Sequence, residues 1–186
     1  MITPNELKQQ AQNSWQHQSS LDWLSLPAKA RATFAGLDIP TRKTEAWKYT
    51  PLTPLLNNAY LANQAAGDVD AGAAETRIGP LGDVSRLVFI NGHFTPGLSR
   101  FSDLENQGII TLFSNANDTQ RDLINAELGT GFEPKEHIFA TLNYSSVADG
   151  LLIHAPADFK VQQAIQLVYL STAEADTSLA QSRVLV

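Results

Sequence analysis

Leu151-Leu152-Ile153-His154-Ala155, Ile165-Gln166-Leu167-Val168-Tyr169-Leu170 and Arg183-Val184-Leu185-Val186 are three short apolar runs whose starts lie 14 and then 18 residues apart. Runs this short have the length of strands, not helices. Short strands at such steps suit a sandwich, a barrel or a β-solenoid, and periodicity alone does not choose between them. The third run reaches the end of the sequence with no turn or polar tail after it. An apolar strand with one side unpaired is an open edge that templates further pairing. The expectation is a truncated chain that can self-associate through that β edge.

Working outward, the preceding stretch also signals strands. Leu87-Val88-Phe89-Ile90 meets Asn91-Gly92 and then His93-Phe94-Thr95. Asn-Gly tolerates positive φ at both central positions of a type I′ turn, so a hairpin is expected there. Ile109 to Phe113 reads as a further strand. Asp118 to Leu128 reads as a short helix with an aspartate cap, closed by Gly129, and His137 to Asn143 as another helical turn.

Residues 62–83 are small, acidic and glycine-rich, ending in Gly79-Pro80-Leu81-Gly82. Such composition has little to bury and reads as a flexible linker. Before it the signals are helical. Thr3-Pro4-Asn5-Glu6 is a capping box with proline at the first helical position. Leu7, Ala11 and Trp15 then recur at spacing four, one apolar stripe. A second helix is expected over Leu21 to Ala35, ended by a left-handed Gly36. Pro40, Pro51 and Pro54 stop any long continuation. The expected division is a helical domain at 1–61, a flexible linker at 62–83 and a strand-rich core at 84–186.

Composition narrows the function. The chain has 186 residues, 43% hydrophobic and 17% charged, which is globular and long enough to bury a core. Its net charge of −6 disfavours sequence-independent nucleic-acid binding, which is driven by phosphate neutralisation. It contains no cysteine, so it forms no disulfide and supplies no thiolate to zinc or to an iron–sulfur cluster. No apolar run approaches membrane-spanning length, and the N-terminus lacks the layout of a signal peptide. A cytoplasmic protein without a membrane or nucleic-acid partner is expected.

Catalytic and metal patterns are weak. His17, His93, His137 and His154 each lack a ligand-type partner at helical spacing, and each is read as a surface or packed residue. There is no cysteine nucleophile and no Gly-x-Ser-x-Gly elbow. Gly129-Thr130-Gly131 follows a helix instead of linking a strand to one, so it is no phosphate loop. Asp149-Gly150 reads as a turn before the strand at Leu151.

The densest cluster of unusual residues is Ile39-Pro40-Thr41-Arg42-Lys43-Thr44-Glu45-Ala46-Trp47-Lys48-Tyr49-Thr50. Three readings stand for it. It is a structural turn in which Trp47 and Tyr49 pack inward and the charges are solvated. It is a docking surface, since Trp, Tyr and Arg anchor protein interfaces. Or its aromatics stack bases while its cations meet phosphates.

This segment resembles the Pro-Thr-Arg-Lys-x-Glu-x-Trp-Lys-Tyr-Thr signature of the SufB/SufD family of SUF iron–sulfur cluster assembly proteins, in the form carried by the SufD branch. Pro40, Thr41, Arg42, Lys43, Glu45, Trp47, Lys48, Tyr49 and Thr50 match its fixed positions. Two further stretches agree in order. Leu87-Val88-Phe89-Ile90-Asn91-Gly92 with Leu98-Ser99 is one; Phe139-Ala140-Thr141-Leu142-Asn143 with Asp149-Gly150 is the other.

The resemblance implies an α+β fold, a small N-terminal helical domain followed by the beginning of a right-handed parallel β-helix. It implies a non-catalytic scaffold subunit that works with SufB and the ATPase SufC. The family's candidate iron-related residues and its SufC-binding segment belong to a C-terminal half absent here. No metal, cofactor or catalytic residue is therefore expected within these residues. Two alternatives are a SufB-type paralogue and a carbohydrate-binding or carbohydrate-acting β-solenoid.

Overall fold

The computed structural model describes residues 2–15, 21–57, 61–62, 71–80, 82–131, 133–147, 149–172 and 178–186. His17 and residues 63–70 and 81 of the expected linker lie outside them. The architecture is α+β.

The N-terminal elements are α1 (Pro4–Ser14) and α2 (Leu26–Gly36), followed by a 3₁₀ turn at Glu45–Trp47 and the short α3 (Thr53–Leu56). The capping box forms as expected. The Glu6 N–H donates to Thr3 Oγ1, while the Thr3 N–H donates to the Glu6 carboxylate. The Thr3 N–H, and after it the Thr3 hydroxyl that also donates to the carboxylate, hold the Glu6 carboxyl below its ordinary range. The second helix starts later than the apolar pattern suggested, at Leu26 with proline in its first turn.

Gly36 does not take the expected left-handed conformation; it is the last helical residue, and Leu37 after it is extended. The cap comes from another helix. Lys8 Nζ of α1 donates to the carbonyls of Ala35 and Leu37, each at 2.7 Å. A cation at a helix C-terminus satisfies the free carbonyls and complements the dipole, so a left-handed glycine is not needed.

Downstream come β1 (Leu61–Ala62), α4 (Ala71–Ile78), β2 (Val84–Ile90) and β3 (His93–Phe94). Then follow α5 (Ser102–Asn106), β4 (Ile110–Leu112), α6 (Asp118–Glu127) and α7 (Ile138–Ser145). The chain closes with β5 (Leu151–Ile153), β6 (Ala164–Leu170), β7 (Ser178–Leu179) and β8 (Val184–Leu185). Helix α4 falls inside the segment read as linker from its composition. The α6 cap is Asn117, not Asp118, and reciprocates with Gln120.

The hairpin at Asn91-Gly92 is present, with φ of 50° and 88° at its two turn residues. It pairs β2 with β3 antiparallel. The Asn91 side chain also holds the end of β6, donating to Thr172 Oγ1 and accepting from the Thr172 N–H.

Among the described residues three sheets run in the orders β3-β2-β6, β4-β5-β8 and β1-β7. Each contains one parallel ladder. β2 and β6 pair in register from Val84 with Ala164 to Ile90 with Leu170. Leu151 of β5 pairs with Val184, and Leu61 of β1 pairs with Ser178. The late strands β6, β7 and β8 thus each lie at the outer side of a different sheet.

Among the described residues three apolar clusters form the core. Leu7 and Ala11 of α1 and Phe34 of α2 meet Ile39, Ile138 and Leu142. Leu24 and Ala30 meet Phe113, Ile124, Tyr144 and Leu152. Leu87, Phe89, Ile110, Leu112 and Leu151 close the space between the sheets. Helix α7 contributes to two of these, so the N-terminal helices share their core with residues far downstream.

Trp15 donates from Nε1 to Ser146 Oγ at 3.1 Å, and Arg31 Nε donates to the Ser145 carbonyl at 2.9 Å. Phe34, 1% exposed, also meets Trp15 edge to face.

Phe34→Ala is expected to cost about 3–5 kcal/mol in denaturant unfolding, because the ring is buried in a shared core. Helical and strand signals should then be lost together. Gly150→Ala should destabilise by about 1–3 kcal/mol, since a β-carbon there collides with the fully buried ring of Phe113. A thermal melt indistinguishable from the parent would refute that crowding.

Candidate functional site

The segment 40–50 folds as a tight surface turn. The Thr41 N–H donates to Thr44 Oγ1 at 3.1 Å, and the Lys43 N–H donates to Thr41 Oγ1 at 3.2 Å. Backbone bonds from Thr44 to Thr41, from Trp47 to Thr44 and from Thr50 to Trp47 continue the coil through the 3₁₀ turn. Threonine hydroxyls compete for nearby N–H groups, which explains a turn here instead of a longer helix.

Two residues fasten this turn to the body. Ile39 is buried in the cluster with Phe34 and Ile138. Trp47, partly exposed, packs on Phe139 of α7 with ring centroids 5.3 Å apart. Pro40 is half-buried. Thr41, Arg42, Lys43, Glu45, Lys48, Tyr49 and Thr50 face solvent. Tyr49 is 87% exposed, and Lys48 Nζ lies 5.4 Å from its ring centroid. The two aromatics therefore separate: Trp47 is an anchor and Tyr49 is displayed. No carboxylate among the described residues forms an ion pair with Arg42, Lys43 or Lys48.

His93 sits in β3 and is half-buried with its Nε2 unpartnered, whereas His137 and His154 are exposed. Among the described residues no three of His, Asp or Glu gather as a metal-binding group. No helix among them is long and apolar enough to cross a membrane.

Sequence reasoning missed Arg86. It is 6% exposed in β2, yet among the described residues its guanidinium donates to neutral acceptors. Nε donates to Gln166 Oε1 of β6 at 2.7 Å, and the terminal nitrogens donate to the carbonyls of Gly79 and Pro80. Arg86 borders a cleft of about 540 Å³ that also presents Glu75, Thr76 and Arg100. An arginine inside the apolar run Val84 to Ile90 was the available signal. Arg183 was missed as well. It lies over the Tyr144 ring at 3.9 Å, and burial lowers its pKa.

The architecture is that of an α+β protein whose N-terminal helices are packed on a core bordered by parallel strand ladders. Residues 5–167 match the family described as SufBD protein N-terminal region, and the chain belongs to the SufBD family. Among its relatives, an iron–sulfur cluster assembly SufBD family protein of Synechocystis is 32% identical over 182 residues. That alignment covers 97% of this chain and 39% of the relative. The iron–sulfur cluster assembly protein SufD of Escherichia coli is 41% identical over 61 residues, covering 33% of this chain and 14% of that protein. The chain thus spans well under half the length of the curated relatives it matches.

The geometry separates the structural and display roles of the turn. Trp47→Ala should cost about 2 kcal/mol, less than the ~3–5 of a fully buried tryptophan. Tyr49→Ala should leave stability within about 0.5 kcal/mol of the parent. Equal losses in chemical denaturation would mean that both rings are structural.

Proposed function

We propose that this chain contributes to a non-catalytic scaffold subunit of the SUF complex, which assists iron–sulfur cluster assembly together with SufB and the ATPase SufC in the cytoplasm. The observation that carries this reading is the family match over residues 5–167. The SufD branch is favoured over a SufB-type paralogue by the complete signature at 40–50 and by the similarity to Escherichia coli SufD.

The same proposal includes the beginning of a right-handed parallel β-helix at 84–186, preceded by a helical domain at 1–61 and a linker at 62–83. Strands β6, β7 and β8 follow one another along the chain, and each pairs in parallel with an earlier strand of a different sheet. Successive coils of a β-solenoid stand in that relation. Residues 91–150, with three helices, interrupt the earlier coil. The edges of β6, β7 and β8 support self-association of the isolated chain.

With no cysteine, these residues bring no thiolate to a nascent cluster, so the cluster is treated as cargo assembled with partner groups. Native mass spectrometry of the gene product, co-expressed with its neighbouring genes, should recover an ATPase and a larger paralogue. A chain that associates only with itself would overturn the SUF reading. Anaerobic reconstitution of the isolated 186-residue chain should leave no stoichiometric iron.

A further inference from the structure

The turn at 41–50 displays cations and an aromatic ring that the fold does not use. We propose that Arg42, Lys43, Lys48 and Tyr49 form a docking surface for an acidic segment of a partner protein, one that carries an apolar side chain among its carboxylates. This inference does not depend on the SUF reading.

Four observations carry it. The three cations are exposed and form no ion pair with the described carboxylates. Tyr49 is the most exposed aromatic ring among the large hydrophobics, at 87%, and Lys48 lies against it, so charge and apolar surface adjoin. The backbone beneath is held by the Thr41 and Thr44 hydroxyls and by Trp47 on Phe139. A preformed turn loses less conformational freedom on binding. Finally, the segment carries three cations and one acid, a net +2 in a chain of −6, which leaves −8 on the rest.

That charge distribution selects the class of partner. Three cations neutralise few phosphates, and the surrounding −8 repels a long polyanion, so nucleic acid and anionic membrane fit poorly. Glu45 lies between Lys43 and Lys48 in the sequence, which lowers the charge the segment offers a polyanion. A short acidic protein segment meets the same groups with fewer charges exposed to that repulsion. Its carboxylates pair with Arg42, Lys43 and Lys48, and its apolar side chain covers Tyr49. A patch of this size gives weak, salt-sensitive binding.

The test titrates the full chain into a fluorescein-labelled peptide in which glutamates flank single leucines. The same titration is run with a glutamine-for-glutamate peptide, with oligothymidylate and with vesicles containing phosphatidylserine. The acidic peptide should bind best, and added salt should weaken it.

Reversal of all three charges, Arg42→Glu, Lys43→Glu and Lys48→Glu, should weaken binding at least about tenfold, as expected when hot-spot cations are lost. Tyr49→Ala should weaken it about fivefold, whereas reversal of Lys29, Arg77 and Lys160 on other surfaces should change it less than about twofold. These side chains are exposed, so circular dichroism and melting should be unchanged in every variant. The proposal is overturned if the acidic peptide does not bind, if the glutamine peptide binds equally, or if the control reversal has the same effect. It is also overturned if oligothymidylate or vesicles bind more tightly than the acidic peptide.

Discussion

Burying helix α7 is the constraint on which the rest of this structure depends. Its sequence, Ile-Phe-Ala-Thr-Leu-Asn-Tyr-Ser, has no charged residue and is apolar around most of its circumference. A helix of that kind has to be covered on several sides. Phe34 and α1 cover Ile138 and Leu142, while Leu24, Phe113 and Leu152 join the cluster that takes Tyr144. Two polar groups at its end are met from the N-terminal helices, Ser146 Oγ by Trp15 and the Ser145 carbonyl by Arg31, whereas Asn143 Oδ1 is buried without a partner among the described residues. Thr141 and Ser145 donate to the carbonyls of Pro134 and Leu142. Unpaired polar atoms at such depth cost about 1–3 kcal/mol each, so these bonds permit the burial.

The sheets meet a different demand. Seven consecutive parallel pairs between β2 and β6 place residues far apart in sequence side by side, and Arg86 lies within that ladder. An unpaired buried charge is normally expensive. Here Gln166 and two carbonyls after α4 accept all the described guanidinium bonds, so the charge ties α4's exit to β6. Phe89 stacks on Tyr169 across the same pairing, with centroids 5.3 Å apart. Burial, register and hydrogen bonding therefore reinforce one another at the ladder.

Against this body the 40–50 turn is peripheral in energy and prominent in surface. Ile39 and Trp47 fasten it, and the charged residues between and beyond them add nothing to the core. Among the described residues no ion pair ties Arg42, Lys43 or Lys48 to the body. The separation explains why a signature dense in Arg, Lys, Trp and Tyr sits on a coil instead of a regular element. Its backbone needs only two threonine hydroxyls and a 3₁₀ turn to hold shape.

The local features were legible in the sequence because their causes span only a few residues. Thr3 and Glu6 cap α1, Asn91 and Gly92 turn the hairpin, and the family signature at 40–50 stands whole. The tertiary structure decided everything whose partner is distant. Parallel pairing of Val84–Ile90 with Ala164–Leu170, the depth of Arg86 and the end of α2 at Lys8 all required long-range neighbours. Gly150 shows the difference most clearly. Locally it reads as a turn residue, yet it is the ring of Phe113, brought alongside by the β4–β5 pairing, that leaves no room for a side chain. Turn chemistry and capping act over one or two bonds of the backbone ladder, whereas steric fit exists only after the chain has folded back on itself.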